Sequence, residues 1–166
     1  MTQRYFMYIS FNAKSYHGWQ KQSNAITVQS VITQAINKLM KDKIEVVGSS
    51  RTDTGVHANE MVAHIDIKQL EVEHFLYRLN SILPDDINVF KLLPVKKDAH
   101  ARFDAINRTY KYYITIKKNP FLKDTALFYS KKLNLTIMRD GCKLLLQNKD
   151  FRSFEKSNSN YNNSIC

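Results

Sequence analysis

Cysteine is scarce in this chain of 166 residues: there are two, Cys142 and Cys166. They form no CxxC pair and no disulfide framework, which argues against a small disulfide-held secreted scaffold and suits a reducing compartment. Long apolar runs are missing too, and nothing approaches the roughly 20 residues of a membrane span. The opening MTQRYFMYISF has a charge at Arg4 and polar Ser10 and Asn12 soon after, so it lacks the apolar stretch of a secretory signal. A cytoplasmic protein without a membrane segment is the expectation. Glycine is sparse as well, with four in all. Two of these, Gly48 and Gly55, fall in one eleven-residue stretch, GSSRTDTGVHA at 48–58, which contributes little to a core and asks for another explanation.

What the chain does have is apolar residues, at 43%, enough for one ordinary domain or two small ones. It is also basic. Lys and Arg number 25 against 15 Asp and Glu, a formal net charge of +10. Such a surface attracts polyanions, although a soluble basic protein would carry the same charge. Aromatic residues among the cations sharpen the reading. In RTYKYYITIKK, 108–118, Tyr110, Tyr112 and Tyr113 lie among Arg108, Lys111, Lys117 and Lys118. Rings can stack on bases while cations meet phosphates, and an exposed amphipathic strand would look similar.

Periodicity organises the first half. RYFMYISF, 4–11, reads as a strand, and a polar loop follows. From Thr27, a plausible N-cap, a helix carries Val28, Val31, Ile32, Ala35, Ile36, Leu39 and Met40 on one face. IEVVG is a short strand running into the quoted stretch, and MVAHIDI, 61–67, is the next. A second helix over 72–83 buries Val72, Phe75, Leu76, Leu79, Ile82 and Leu83, and INVFKLLPV is a further strand. The order β-α-β-loop-β-α-β predicts an α+β fold, a ferredoxin-like split βαβ domain over 1–98 with a mixed or antiparallel sheet. A second, incomplete α+β domain is expected over 99–166. It would have HARFDA as a loop, a long strand at 106–117, a turn at Asn119–Pro120, and a helix over 136–147. The chain closes on an Asn/Ser-rich tail, EKSNSNYNNSIC.

The stretch 48–58 lies between two predicted strands, where rigid elements can hold a site on a connector. Arg51 and Asp53 are two apart and would share one side of an extended segment. An Arg beside an Asp favours the carboxylate, suited to act as nucleophile or base; a purely structural pair that pins the turn would use the same residues. Asp53 and His57, four apart, suggest a metal pair or an acid–base relay, but no third ligand has suitable spacing, and no metal is expected. His64 lies in a strand and reads as packing.

GSSRTDTGVHA resembles the G-x-[GS]-RTD-x-GVHA signature of the TruA family of tRNA pseudouridine synthases. SYHGWQKQ, 15–22, resembles that family's Y-x-GWQ-x-Q segment. HARFDA resembles its HARF-x-A, RTYKY its R-x-Y-x-Y strand, and DFRSF, 150–154, its DF-x-SF. The departures, at Ser49, Ser50 and Thr54, leave the Arg, Asp, Gly and His in place. The resemblance runs from near residue 4 to the end, and implies that the chain corresponds to the first two-thirds of such an enzyme.

The resemblance also implies an activity: isomerisation of uridine to pseudouridine in tRNA, at positions 38 to 40 of the anticodon arm, without cofactor or metal. It makes Asp53 the catalytic carboxylate and Arg51 its orienting partner or a holder of displaced phosphate. Tyr110 would stack on the target base, with Tyr112 as the alternative ring, and Arg102 would bind RNA. The partners it implies are tRNA and a second copy in a homodimer. Trp19 stands open between packing and RNA contact. His57 and Gly55 are expected to shape the loop, and Phe103, Phe151 and Phe154 to be core. The competing expectation is a non-catalytic tRNA-binding or RNA-chaperone relative. A carboxylate hydrolase is disfavoured by a lone Asp without a paired acid.

Overall fold

The computed structural model describes residues 2–154, which fall into two compact units, Met1–Tyr112 and Tyr113–Cys166. Both mix helix and strand. Among the described residues no helix is long and apolar enough to cross a membrane.

In the first unit, strand β1 (Thr2–Phe11) is followed by helix α1 (Val28–Met40) and the two-residue strand β2 (Val47–Gly48). Strand β3 (Ala58–Lys68), helix α2 (Val72–Asn80) and strand β4 (Ile87–Val95) complete it. The four strands form one sheet in the order β2-β3-β1-β4, and every neighbouring pair is antiparallel. Alternation decides which face is core. Tyr5, Met7, Ile9 and Phe11 of β1 are buried, together with Ala63, Ile65 and Ile67 of β3 and Val89 of β4. The same cluster takes in Val28, Ile32 and Ile36 from α1, and Phe75 and Leu79 from α2. Each such aliphatic side chain contributes roughly 1.5–3 kcal/mol by leaving water.

Helix α1 starts where the sequence predicts. Thr27 accepts from the Ser30 amide, and the Ser30 hydroxyl accepts from the Thr27 amide, a reciprocal capping box. Helix α2 stops at Asn80, short of the expected Leu83, and Ile82 is exposed although Leu83 is buried. Beyond Asn80 the backbone tightens into a turn, the amides of Ile82 and Leu83 both donating to the Leu79 carbonyl, at 3.2 and 3.0 Å. Asn80 turns its side chain onto β4, where its Oδ1 accepts from the Val89 amide and its Nδ2 donates to the Val89 carbonyl, each at 2.9 Å. The ladder is interrupted there: Tyr8 faces Lys91 but Ile9 faces Val89, so Phe90 is the extra residue of a bulge.

The second unit is sparser. Strands β5 (Ile114–Thr115) and β6 (Leu127–Phe128) pair in parallel. A turn of 3-10 helix over Pro120–Leu122 is capped by Asn119, and helix α3 (Leu135–Gln147) is capped by Asn134. None of its described residues is buried. The long strand expected over 106–117 is reduced to Ile114–Thr115, because no strand among the described residues pairs with 106–112. An extended pattern without a neighbour makes no ladder. Phe103 and Phe154 are both 74% exposed and so are not core, and Phe151 is half-buried. The Asn/Ser-rich tail, 155–166, lies outside the described residues.

Asn80→Ala is expected to destabilise the protein by about 2 kcal/mol, since it removes two hydrogen bonds and strands both polar groups of buried Val89. Urea denaturation checks this; a change under about 0.5 kcal/mol would show that water replaces the clamp.

Candidate active site

Residues 48–58 connect β2 to β3. Ser49 extends the ladder by one bond, its amide donating to the Val62 carbonyl at 2.8 Å. The chain then leaves the sheet and is caught from the side. The Trp19 amide donates to the Thr52 carbonyl at 3.1 Å. Trp19 can do this because its own segment is fixed to the start of α1. The Val28 amide donates to the Gly18 carbonyl and the Gln29 amide to the Trp19 carbonyl, using donors that a helix N-terminus leaves unpaired. The buried Gln29 side chain adds a tie, accepting from the Lys21 amide and donating to the Val46 carbonyl, each at 2.7 Å. Upstream, the Tyr16 hydroxyl donates to Asp86 at 2.5 Å, and burial, reinforced by that carboxylate, pushes the phenol above the usual tyrosine range.

Two glycines make room for this approach, for different reasons. Gly18 has φ of +79°, and a Cβ there would overlap the Thr52 carbonyl oxygen. Gly48 has ordinary backbone angles, but the Trp19 indole occupies the place of its missing side chain. Its role is space, whereas the loop position that needs a left-handed backbone is Gly55, at φ +80°. The indole is 1% exposed and stacks on Phe11 with ring centroids 5.9 Å apart, so Trp19 packs in the core and holds the loop from behind.

Beyond Thr52 the loop turns, with the Val56 amide donating to the Asp53 carbonyl at 3.2 Å. His57 Nδ1 accepts from the Ala13 amide at 2.9 Å, which fixes the loop's far end to the segment after β1. This is the loop-shaping role expected of His57. Among the described residues no group of three His, Cys, Asp or Glu side chains could hold a metal ion. The Arg51 and Asp53 side chains are exposed on either side of Thr52, whose hydroxyl is buried without a hydrogen-bond partner. Arg51 and Asp53 are not ion-paired with each other among the described residues. The structure therefore fixes the backbone that carries them and leaves both side chains accessible, rather than spending them on pinning the turn.

The HARF segment is held by histidines. Arg4, bidentate on Asp66 at 2.8 and 2.6 Å, also donates to the Ala99 carbonyl at 3.0 Å. His64 Nδ1 accepts from the Ala101 amide at 3.2 Å, and His100 Nδ1 from the amides of Arg102 and Phe103 at 3.1 and 3.3 Å. Burial, with Arg4 and His100 nearby, lowers the His64 pKa and favours the neutral imidazole that this acceptor role needs. Arg102 is exposed and lies over the Phe103 ring at 5.7 Å. Arg108 donates to the carbonyls of both Ser49 and Arg102, joining the two loops. Tyr110 follows in an unpaired segment with its ring 66% exposed, and Tyr112 is exposed too.

Sequence reading places Arg51 and Asp53 on one short loop and gives His57 a loop-shaping role, but it does not find how Trp19, His57, His64 and Arg108 hold the surrounding backbone. All four act on main-chain amides or carbonyls, and His57 and His64 do so through ring nitrogens. Spacing does not encode such bonds; only the match of Trp19 and Arg108 to motif segments could have pointed to them.

Gly18→Ala is expected to cost about 2–3 kcal/mol, combining left-handed strain with overlap on the Thr52 carbonyl. Gly55→Ala, with open space around it, should cost only the strain, about 1–2 kcal/mol. Thermal unfolding of the two variants side by side tests the difference; equal losses would mean that the Gly18 contact relaxes freely.

The chain matches a family profile described as tRNA pseudouridine synthase over residues 10–104. It is 46% identical over 164 residues to the tRNA pseudouridine synthase A of Azobacteroides pseudotrichonymphae genomovar. CFP2, covering 98% of this chain and 66% of that protein. The tRNA pseudouridine synthase A of Parabacteroides distasonis is 42% identical over 165 residues, with 98% and 66% covered. That of Bacteroides fragilis is 43% identical over 167 residues, with 99% and 66% covered. The chain thus spans 66% of the length of these curated relatives, just under two-thirds. Both the long RTD signature and the GW segment that latches it lie inside the matched region, and the chain belongs to the tRNA pseudouridine synthase family.

Proposed function

We propose that this protein isomerises uridine to pseudouridine in the anticodon arm of tRNA, at positions 38 to 40, with Asp53 as the catalytic carboxylate. The observation that carries the reading is the loop itself: Trp19 and His57 hold its backbone, while the side chains of Arg51 and Asp53 stay exposed. A fixed backbone with an accessible carboxylate is what a reaction at a base drawn out of its stack requires. The bond from C1' to N1 breaks, the base turns, C1' rejoins at C5, and the C5 hydrogen leaves as a proton while N1 takes one up. Asp53 acts in this sequence as nucleophile or as base, and Arg51 orients it or holds a displaced phosphate.

Drawing a uridine out of its stack costs a few kcal/mol, and stacking on an aromatic ring returns about 1–3 kcal/mol. Tyr110 is the proposed platform, and its exposure supports that role. Contacts to the phosphate backbone supply the rest, from a chain of net charge +10, with the exposed Arg102 among them. The proposed partners are tRNA and a second copy of the protein, in the cytoplasm. The proposed architecture is a ferredoxin-like split βαβ domain over 1–98, supported by the β-α-β-β-α-β order and the antiparallel strand order β2-β3-β1-β4. Residues 99–166 are assigned to a second α+β domain.

Asp53→Asn in the protein as encoded keeps the shape of the side chain and removes the carboxylate. It is expected to abolish pseudouridine formation and leave affinity for unmodified tRNA within a few-fold, measured by tritium release and by filter binding. Substantial residual turnover would sink the assignment of Asp53.

A further inference from the structure

Arg108 sits by sequence in a run of cations and tyrosines suited to phosphate. Its guanidinium is engaged elsewhere. Nε and Nη2 donate to the Ser49 carbonyl at 3.2 and 2.8 Å, and Nη2 also donates to the Arg102 carbonyl at 2.8 Å. Ser49 opens the RTD loop, and Arg102 lies in the HARF turn. Both acceptor residues are already fixed through their amides, Ser49 to Val62 and Arg102 to His100. A planar fork therefore spans two static carbonyls that lie 59 and 6 positions away in the chain. Tyr110, the proposed stacking ring, follows two residues later.

We propose that Arg108 is a positioning residue for the synthase reaction: it locks the RTD loop to the HARF turn and sets where the Tyr110 segment departs. The proposal rests on the functional reading above. It separates Arg108 from the phosphate-binding cations around it, because the directed donors serve main-chain oxygens. It also explains why an arginine is used. A lysine ammonium keeps the charge but is a compact point on a flexible stem, and cannot reproduce a rigid fork across two carbonyls.

The test compares Arg108→Lys and Arg108→Gln in the protein as encoded, with Arg102→Ala as the reference for a phosphate contact. Three quantities are read: amide hydrogen exchange, the salt dependence of binding to an unmodified tRNA transcript, and kcat against KM. Both Arg108 variants are expected to raise exchange across 49–57 by about tenfold while leaving the Met7 and Ile9 amides of β1 unchanged, as a local opening does. The slope of log affinity on log salt stays at its wild-type value in both, whereas a lost phosphate contact lowers it by about one unit. Turnover falls by more than about tenfold with KM within a few-fold, the pattern of a lost transition-state arrangement. Unchanged exchange at 49–57 overturns the proposal. So does a slope reduced by about one unit in Arg108→Gln with a wild-type-like Arg108→Lys. Exchange that rises equally at Met7 and Ile9 assigns Arg108 to global stability and overturns it as well. If the unsubstituted protein forms no pseudouridine, the functional reading fails, and the exchange comparison still decides whether Arg108 locks the two loops.

Discussion

The hydrogen bond from the Trp19 amide to the Thr52 carbonyl is the contact on which the candidate site depends. It reaches into the middle of the RTD triplet and leaves the residues on either side outward. It also depends on much of the first unit. Helix α1 must begin at Val28 for its first amides to hold the carbonyls of residues 18 and 19. Gly18 must lack a side chain and accept a left-handed backbone, and Gly48 must leave room for the indole. The core of the sheet and the position of Asp53 are thus linked through one backbone segment. A substitution in the GW segment should therefore be felt at the RTD loop even though Trp19 is buried away from solvent.

A second set of contacts uses charge differently. Arg4 binds Asp66 through both oxygens, which holds that carboxyl below its usual range, and its remaining reach goes to a backbone carbonyl. Arg108 spends its donors on carbonyls alone. His64 and His100 accept backbone amides through ring nitrogens. The basic character of the chain is thus divided: some cations serve the frame, and others, such as Arg102, stay exposed. Net charge alone does not make that division.

How much of this was legible in the sequence follows from which interactions leave a pattern. Strand β4 and helix α1 were legible because a period of two and a period of 3.6 report which side chains meet the core. The segment 106–112 reads as a strand with equal force, yet a strand needs a neighbour, and the local pattern carries no record of one. Ile82 and Phe103 were expected inside because they are apolar, but the helix ends before the first and the turn at 100–104 presents the second outward. The RTD loop was legible as a candidate site through its resemblance to a family signature. The contacts that hold it end on main-chain atoms, and these leave no mark on residue spacing.

Trp19 is the only tryptophan in the chain, so its backbone amide gives an assignable probe of the latch. Its hydrogen exchange, measured in the unsubstituted protein by NMR, tests most directly whether the RTD loop is held in advance of substrate. The account predicts protection comparable to the Met7 and Ile9 amides in the central strand, because opening the latch requires displacing a buried indole and the start of α1. Exchange at the rate of an exposed loop amide, with Met7 and Ile9 still protected, would contradict it and leave Asp53 on a loop that only the substrate could order.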